Sequence, residues 1–270
     1  MELANVVLPV LIQSLALNNV DTGECITRWI GHDAEVTKLA YGNTVGNHFV
    51  LSGSRDQTIK LWQFHSQNPQ KSFEGHSLGI TGLSMITENT FVSGSRDTTL
   101  KIWDVETTRR ALRSAQVNRN LVTHLTFSAH CNVIAQSSED EEVKMWDPRN
   151  LELVAELPRK HHIQLHCEFI DDTTLASSSS GFNGDGCEIS VRCILLRELR
   201  GHEGSVTCVI GLTQQVTMKK LLMSVSVDRT IRIWNINEPG KAKIHRWLLR
   251  FPTQGIGIVS EKIYHSSHSP

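Results

Sequence analysis

His32, Ser52 and Asp56 are the residue types of a hydrolytic triad, in which a carboxylate orients an imidazole and the imidazole takes the proton of a hydroxyl nucleophile. Similar types return at His76, Ser93 and Asp97, and again at His202 and Asp228. A catalytic set has no reason to be copied along a chain. Each aspartate, moreover, stands six residues before a tryptophan: Asp56 before Trp62, Asp97 before Trp103 and Asp228 before Trp234, with Asp140 and Trp146 keeping the pair. The tryptophans are separated by 41, 43 and then 88 residues, the last interval being two periods. Self-similarity at this period marks a supersecondary unit used repeatedly. The recurring polar residues therefore read as an internal bonding network, and no catalytic residue is expected.

Strands must position these groups. In the first complete unit Val36, Leu39 and Tyr41 mark an inner strand and Phe49-Val50-Leu51 opens a second. Thr58-Ile59-Lys60-Leu61-Trp62 forms the third, and a short outer strand lies near Lys71-Ser72-Phe73. Between the second and third, Ser54-Arg55-Asp56-Gln57 is polar and turn-prone, as a hairpin reversal requires. The second unit repeats the pattern, with Ser52-Gly53-Ser54-Arg55-Asp56 returning as Ser93-Gly94-Ser95-Arg96-Asp97. The third keeps Ser138-Glu139-Asp140 and Val143-Lys144-Met145-Trp146-Asp147, with Asn118 where a histidine would stand. The fourth is weakest: residues 163–169, 174–178 and 188–191 read as strands, Arg192-Cys193 replaces Trp-Asp, and 195–199 is its outer strand. The fifth recovers, with Val206-Thr207, Leu221-Leu222, Asp228 and Ile231-Arg232-Ile233-Trp234, and 243–251 as its outer strand. Residues 21–29 look like the closing turn and outer strand of a preceding unit, and 256–264 like the start of a following one.

Side chains alternate along a strand, so Ile59 and Leu61 serve one face and Trp62 the other. A buried indole needs an acceptor for its N–H, and Ser52 or Ser54 can supply one. The Gly-His histidine and the turn aspartate extend the chain as Asp–His–Ser–Trp, a network that is strong only when every member is satisfied. The structural set is thus His32, Asp56, Trp62, His76, Asp97, Trp103, Asp140, Trp146, His202, Asp228 and Trp234. Because histidine and aspartate must meet, the Gly-His loops and the hairpin turns share one face. Arg55 and Arg96 precede the turn aspartate in successive units, Glu139 takes that place in the third, and Arg229 follows the aspartate in the fifth. These arginines are the expected partner-binding residues, presented on a rim to a carboxylate or phosphate.

Other clusters carry less. His161, His162, His166 and Cys167 are metal-donor types, but Cys167 points away from the face shared by His162 and His166 in a strand, and no second cluster stands at ligand spacing, so no metal is expected. Gly181-Phe182-Asn183-Gly184-Asp185-Gly186 lacks the Gly-Lys-Ser/Thr of a phosphate loop. Asn183, Asp185 and Glu188 do not complete a calcium loop, and a long hairpin turn accounts for the stretch. Residues 139–142 and Arg109-Arg110 read as solvated loop charge. No cofactor and no small-molecule substrate are implied.

The chain of 270 residues has 39% hydrophobic content, enough for a real core, and a net charge of −1, which recruits neither nucleic acid nor anionic lipid. No basic stripe with interleaved aromatics suggests nucleic-acid binding. Six cysteines without a CxxC pair fit reduced thiols in a cytosolic protein. The apolar run at 6–17 is broken by Pro9 and lacks a positive leader, so it reads as neither signal peptide nor membrane span.

The Gly-His, Ser-Arg-Asp and Ile-Lys-Leu-Trp motifs resemble those of the WD-repeat β-propeller family over about residues 22–251. The resemblance implies an all-β propeller of four-stranded blades, five of them recognisable here with partial blades at each end. Residues 1–21 are then a degenerate strand or disordered lead, and 252–270 a partial strand and polar tail. It also implies a non-enzymatic scaffold that binds other proteins through its loop faces. A narrower resemblance rests on Val117-Asn118-Arg119-Asn120-Leu121-Val122-Thr123-His124-Leu125, His162-Ile163-Gln164 and Ser180-Gly181-Phe182-Asn183-Gly184-Asp185-Gly186-Cys187-Glu188. It is to adaptors associated with ciliary trafficking, and implies a cytoplasmic protein with a ciliary role. The chain departs from that pattern in a first blade short of inner strands, in Arg192-Cys193, and in a nearly absent last blade. These departures read as truncation at both ends. A recognition subunit of a larger enzyme such as a ubiquitin ligase, or a shortened product without function, would fit the same residues.

Overall fold

Period-two alternation dominates the molecule. A computed structural model describes residues 5–10, 13–19, 22–44, 47–107, 110–117, 121–192, 196–213, 220–236 and 242–245, and these form strands joined by turns, with no helix among the described residues. A leading sheet contains β1 (Asn5–Val10), β2 (Ser14–Asn19) and β3 (Cys25–Ile30). The first unit is β4 (Val36–Thr44), β5 (Asn47–Ser54), β6 (Ile59–Gln63) and β7 (Lys71–Phe73). The second is β8 (Ile80–Met85), β9 (Thr90–Ser95), β10 (Thr99–Asp104) and β11 (Arg113–Gln116). The third is β12 (Val122–Ser128), β13 (Val133–Ser138), β14 (Val143–Trp146) and β15 (Leu153–Glu156). The fourth is β16 (Gln164–Phe169), β17 (Leu175–Ser179), β18 (Ile189–Arg192) and β19 (Leu196–Leu199). The fifth is β20 (Val206–Thr213), β21 (Lys220–Ser226), β22 (Ile231–Asn235) and β23 (Ala242–His245). Every sheet is an antiparallel meander in chain order. This is an all-β propeller.

The leading sheet holds more than an outer strand. Leu15, Ala16 and Leu17 of β2 are all buried. A strand covered on both faces reads as a continuous apolar run without alternation, which is why its period was illegible. Asn118, Arg109 and Cys193 lie outside the described residues, as do 246–251 of the expected fifth outer strand and the whole of 252–270.

Inner strands pack in sequence, β1 on β4, β4 on β8, β8 on β12, β12 on β16 and β16 on β20. The core lies between sheets: Leu51, Ile59, Leu61 and Phe73 of the first unit meet Ile80, Leu83, Phe91 and Trp103 of the second. Approach is close enough that a Cβ at Gly53 would lie 2.6 Å from Ile80 Cγ2. The inner strand of each of the five four-stranded units breaks register at the same place, between Val36 and Lys38, Ile80 and Gly82, Val122 and His124, Gln164 and His166, and Val206 and Cys208. A bulge bends its strand and increases local twist, so the five units share one curvature. No helix among the described residues is long and apolar enough to cross a membrane.

Candidate protein-interaction face

In the first unit His32 Nδ1 lies 2.7 Å from Asp56 Oδ2 and Nε2 lies 2.6 Å from Ser52 Oγ, while Trp62 Nε1 donates to that same oxygen at 2.7 Å. The second unit repeats this with Asp97, His76, Ser93 and Trp103 at 2.8, 2.7 and 2.8 Å. The fifth does so with Asp228, His202, Ser224 and Trp234 at 2.8 Å throughout. A hydroxyl that accepts from the indole has its own proton left for Nε2, so the imidazole proton sits on Nδ1 and goes to the carboxylate. Ser52, Ser93 and Ser224 are fully buried, and their oxygens reach no substrate. Burial pushes each aspartate's pKa up. Hydrogen bonds from the histidine and from Thr58 or Thr99 outweigh it and hold Asp56 and Asp97 well below the usual range. For Asp228, bonds from Thr230 and His202 bring the value to about 2.

The third unit solves the same problem differently. Trp146 Nε1 donates to Gln136 Oε1 at 3.3 Å, the glutamine standing where the other units have serine. Asp140 keeps the turn position. Two further sets of residues complete the network, and Ser54, the alternative acceptor for the indole, belongs to one of them while the Trp62 N–H goes to Ser52. The threonine two places after each network aspartate donates to it at 2.6 Å in all three complete networks. Ser54, Ser95 and Ser226 donate to loop carbonyls of Ala34, Leu78 and Gly204 and accept from the aspartate amide. Asp-x-Thr and the second serine of Ser-x-Ser were the available signals.

The turn face is built by backbone ties. The amides of Arg55, Arg96, Glu139, Ser180 and Val227 donate to the carbonyls of Glu35, Gly79, Leu121, Ile163 and Ser205 at 2.9–3.0 Å. These five positions are equivalent, and only their side chains differ. Arg55 pairs with Glu35 at 3.0 Å while remaining 58% exposed, a pair worth at most about 1 kcal/mol. Arg96 is exposed, with no ion pair among the described residues. The two are neighbours: a Cβ at Gly79, whose carbonyl ties Arg96, would lie 3.0 Å from Arg55 Cα. Leu78, beside Gly79, is 47% exposed. Arg229 stands elsewhere, three sheets beyond the unit of Arg96, at the position after the aspartate. Gln57, Thr98, Glu141 and Arg229 share that position and its positive φ of 66–72°. Phe182 and Val227 are further exposed apolar residues on the turns.

The WD domain, G-beta repeat model matches residues 23–63, 67–104, 111–147 and 193–235, together more than half of the chain. The chain belongs to the WD40 repeat family. Most of the fourth unit falls between the matched segments, as its missing Trp-Asp would lead one to expect. WD repeat-containing protein 37 from Xenopus tropicalis is 30% identical over 150 residues, 54% of this chain and 29% of that protein. The WD repeat-containing protein 26 homolog of Arabidopsis thaliana is 22% identical over 227 residues, 81% of this chain and 37% of the relative. Nuclear distribution protein PAC1 of Ajellomyces capsulatus (strain H143) is 27% identical over 248 residues, 82% of this chain and 53% of the relative. The chain thus spans between about a third and about a half of the length of these relatives. WD40 repeats build protein-interaction scaffolds.

Elsewhere in this WD40 chain the remaining candidate clusters are dispersed. No group of three or more metal-donor side chains gathers among the described residues. His162 precedes β16 and faces Asp185 at 3.8 Å, whereas His166 is buried within that strand beyond the register shift. Residues 181–186 form a turn closed by the Phe182 amide on the Asp185 carbonyl at 2.9 Å. In the acidic run Glu142 pairs with Lys144 at 3.1 Å and Glu141 with Arg159 at 3.2 Å, so these charges are partly compensated within the protein.

Proposed function

We propose that this WD40 chain is a non-enzymatic adaptor that recruits another protein through an acidic group set between Arg55 and Arg96, over Leu78. The observation that carries the reading is the turn face: the backbone tie repeats from unit to unit while the side chains on it do not. A constant frame with variable residues is suited to specifying a partner. The burial of each Ser-His pair beneath a tryptophan supports a structural use for the triad-like residues. Arg229 offers a second, separate contact to a partner long enough to cross the face. The cytoplasm is the proposed setting, with ciliary trafficking as the pathway suggested by residues 117–125, 162–164 and 180–188.

Affinity purification of the tagged chain, followed by mass spectrometry, tests this directly. A defined partner should be recovered, and Arg55→Glu with Arg96→Glu should reduce its yield by about tenfold or more, since reversing a contact charge sets like charges together. The variant should unfold at the same temperature as the parent. Undiminished recovery from the variant removes these arginines from the interface. Failure of soluble, folded protein to retain any partner removes the adaptor role itself.

A further inference from the structure

The longest hairpin on the turn face belongs to the fourth unit, the one without a tryptophan. Residues 180–188 join β17 to β18, where 55–58, 96–98, 139–142 and 227–230 suffice in the other units. The added length crosses to the fifth unit. Ser205 Oγ accepts from the Gly181 amide at 3.0 Å and donates back to the Gly181 carbonyl at 2.9 Å, while the Gly184 amide donates to the Glu203 carbonyl at 3.2 Å. Within the turn, Phe182 and Asp185 exchange both backbone bonds, at 2.9 and 3.1 Å. Phe182 also bridges Gly204, in the loop ahead of β20. Gly204 is packed so closely on the next turn that a Cβ there would lie 2.9 Å from the Asp228 nitrogen and 3.4 Å from the Val227 carbonyl carbon. Phe182 and Val227, from different units, are therefore set beside the same residue.

Both are left in solvent, Phe182 77% exposed and Val227 46% exposed. Single exposed apolar side chains are ordinary. These two are adjacent, and Val227 holds the position that Arg55, Arg96, Glu139 and Ser180 hold in the other units. An aromatic ring on a turn already fixed by bonds to two units loses little freedom on contact, and aromatic anchors dominate protein interfaces. The surroundings select the charge of what binds beside it. Asp185, paired across the turn with Phe182, has a side chain 92% exposed, and Glu203 is exposed on the neighbouring loop. His162 stands 3.8 Å from Asp185, and Arg200 is held by Glu198 at 2.8 Å. Arg229, two residues after Val227, is the cation of the adjoining turn. A basic group flanking the apolar contact thus meets two carboxylates against one guanidinium.

We propose that Phe182 and Val227 form a second docking point on this face, taking from a protein partner a bulky apolar side chain flanked by lysine or arginine. The inference rests on the adaptor reading but not on Arg55 and Arg96, which belong to the first two units. The probe is a random dodecapeptide library displayed on phage and selected on the intact chain. Selected peptides should carry an aromatic or long aliphatic residue next to a basic one. Binding of a synthetic consensus peptide, read by fluorescence anisotropy, should weaken about tenfold or more in Phe182→Ser. It should weaken about twofold or more in Asp185→Asn with Glu203→Gln, and Phe182→Trp should retain it. Arg55→Glu with Arg96→Glu should bind the peptide as the parent does, so loss of the arginine contact and loss of this one are separate results. In the wild type the peptide should slow hydrogen exchange at residues 180–186 and 203–205, a readout that needs no variant. Selection of no consensus by folded protein, a consensus with acidic flanks, undiminished binding to Phe182→Ser, or protection confined to other turns overturns the proposal.

Discussion

At Ser52 a single oxygen joins two buried partners, accepting from Trp62 and donating to His32. Removing it leaves an indole N–H without an acceptor and an imidazole nitrogen without a donor. Each orphaned buried group costs about 1–3 kcal/mol, so Ser52→Ala should lower the unfolding free energy by about 2–4 kcal/mol in a urea titration. Adding Trp62→Phe should cost less than the separate losses summed, because the indole N–H is then gone as well. Strict additivity would mean that the bonds are not coupled. A second residue-level test concerns Thr98, which holds φ at 66°. A β-branched residue is strained there, and among the described residues Thr98 is held only by its backbone, its amide donating to the Ser95 carbonyl and its carbonyl accepting from Val117. Thr98→Asn, a residue that tolerates this conformation, should stabilise by about 0.5–1 kcal/mol. A loss of stability would show that the threonine methyl is needed for packing.

At the level of elements, strands β12 and β16 set the pH response. Burial first, and then neighbouring positive charge, hold His124 and His166 well below the ordinary value of 6.5, and burial lowers His202 despite its bond to Asp228. Folded histidines that stay neutral while unfolded ones protonate stabilise fully above about pH 6.5, and that contribution is lost as pH falls. Stability should therefore decline between about pH 6.5 and 5, before the depressed carboxylates of Asp56, Asp97 and Asp228 add their own loss below about pH 4. Chemical denaturation across this range should show a shallower decline in His166→Phe; an unchanged slope would place the proton uptake elsewhere. Legibility differed among elements for physical reasons. Turn and tryptophan strand stand out because Asp56 and Trp62 return at constant spacing as Asp97 and Trp103. Strand β2 was hidden because both of its faces are covered. Gln136 was hidden because an amide replaces the serine acceptor only once side-chain depth is known. The bulge before His166 breaks the alternation on which a shared face for His162 and His166 depends.

For the whole molecule the question is how far a local loss spreads. Stacked repeats that touch only their neighbours have stabilities close to a sum of unit and interface contributions, whereas mutually closed units fail together. Trp29 is placed to distinguish these. It is fully buried on the outer strand of the leading sheet, donates to the Ser66 carbonyl at 2.8 Å, and packs 6.3 Å from Trp62 and 6.0 Å from Phe64. With Leu15, Leu17, Val36 and Val50 it forms the cluster that joins the leading sheet to the first unit. Trp29→Ala should cost about 3–5 kcal/mol at that joint. The packing among described inner strands runs in chain order from β1 to β20, with no comparable contact returning from β20 to β1. Hydrogen exchange should consequently accelerate in β1 to β4 of the variant while β16 to β22 keep their protection. Equal acceleration in all six sheets would instead demonstrate a closed ring that shares strain among its blades, because only a return contact can carry the loss from the first joint to the last unit without crossing the three between.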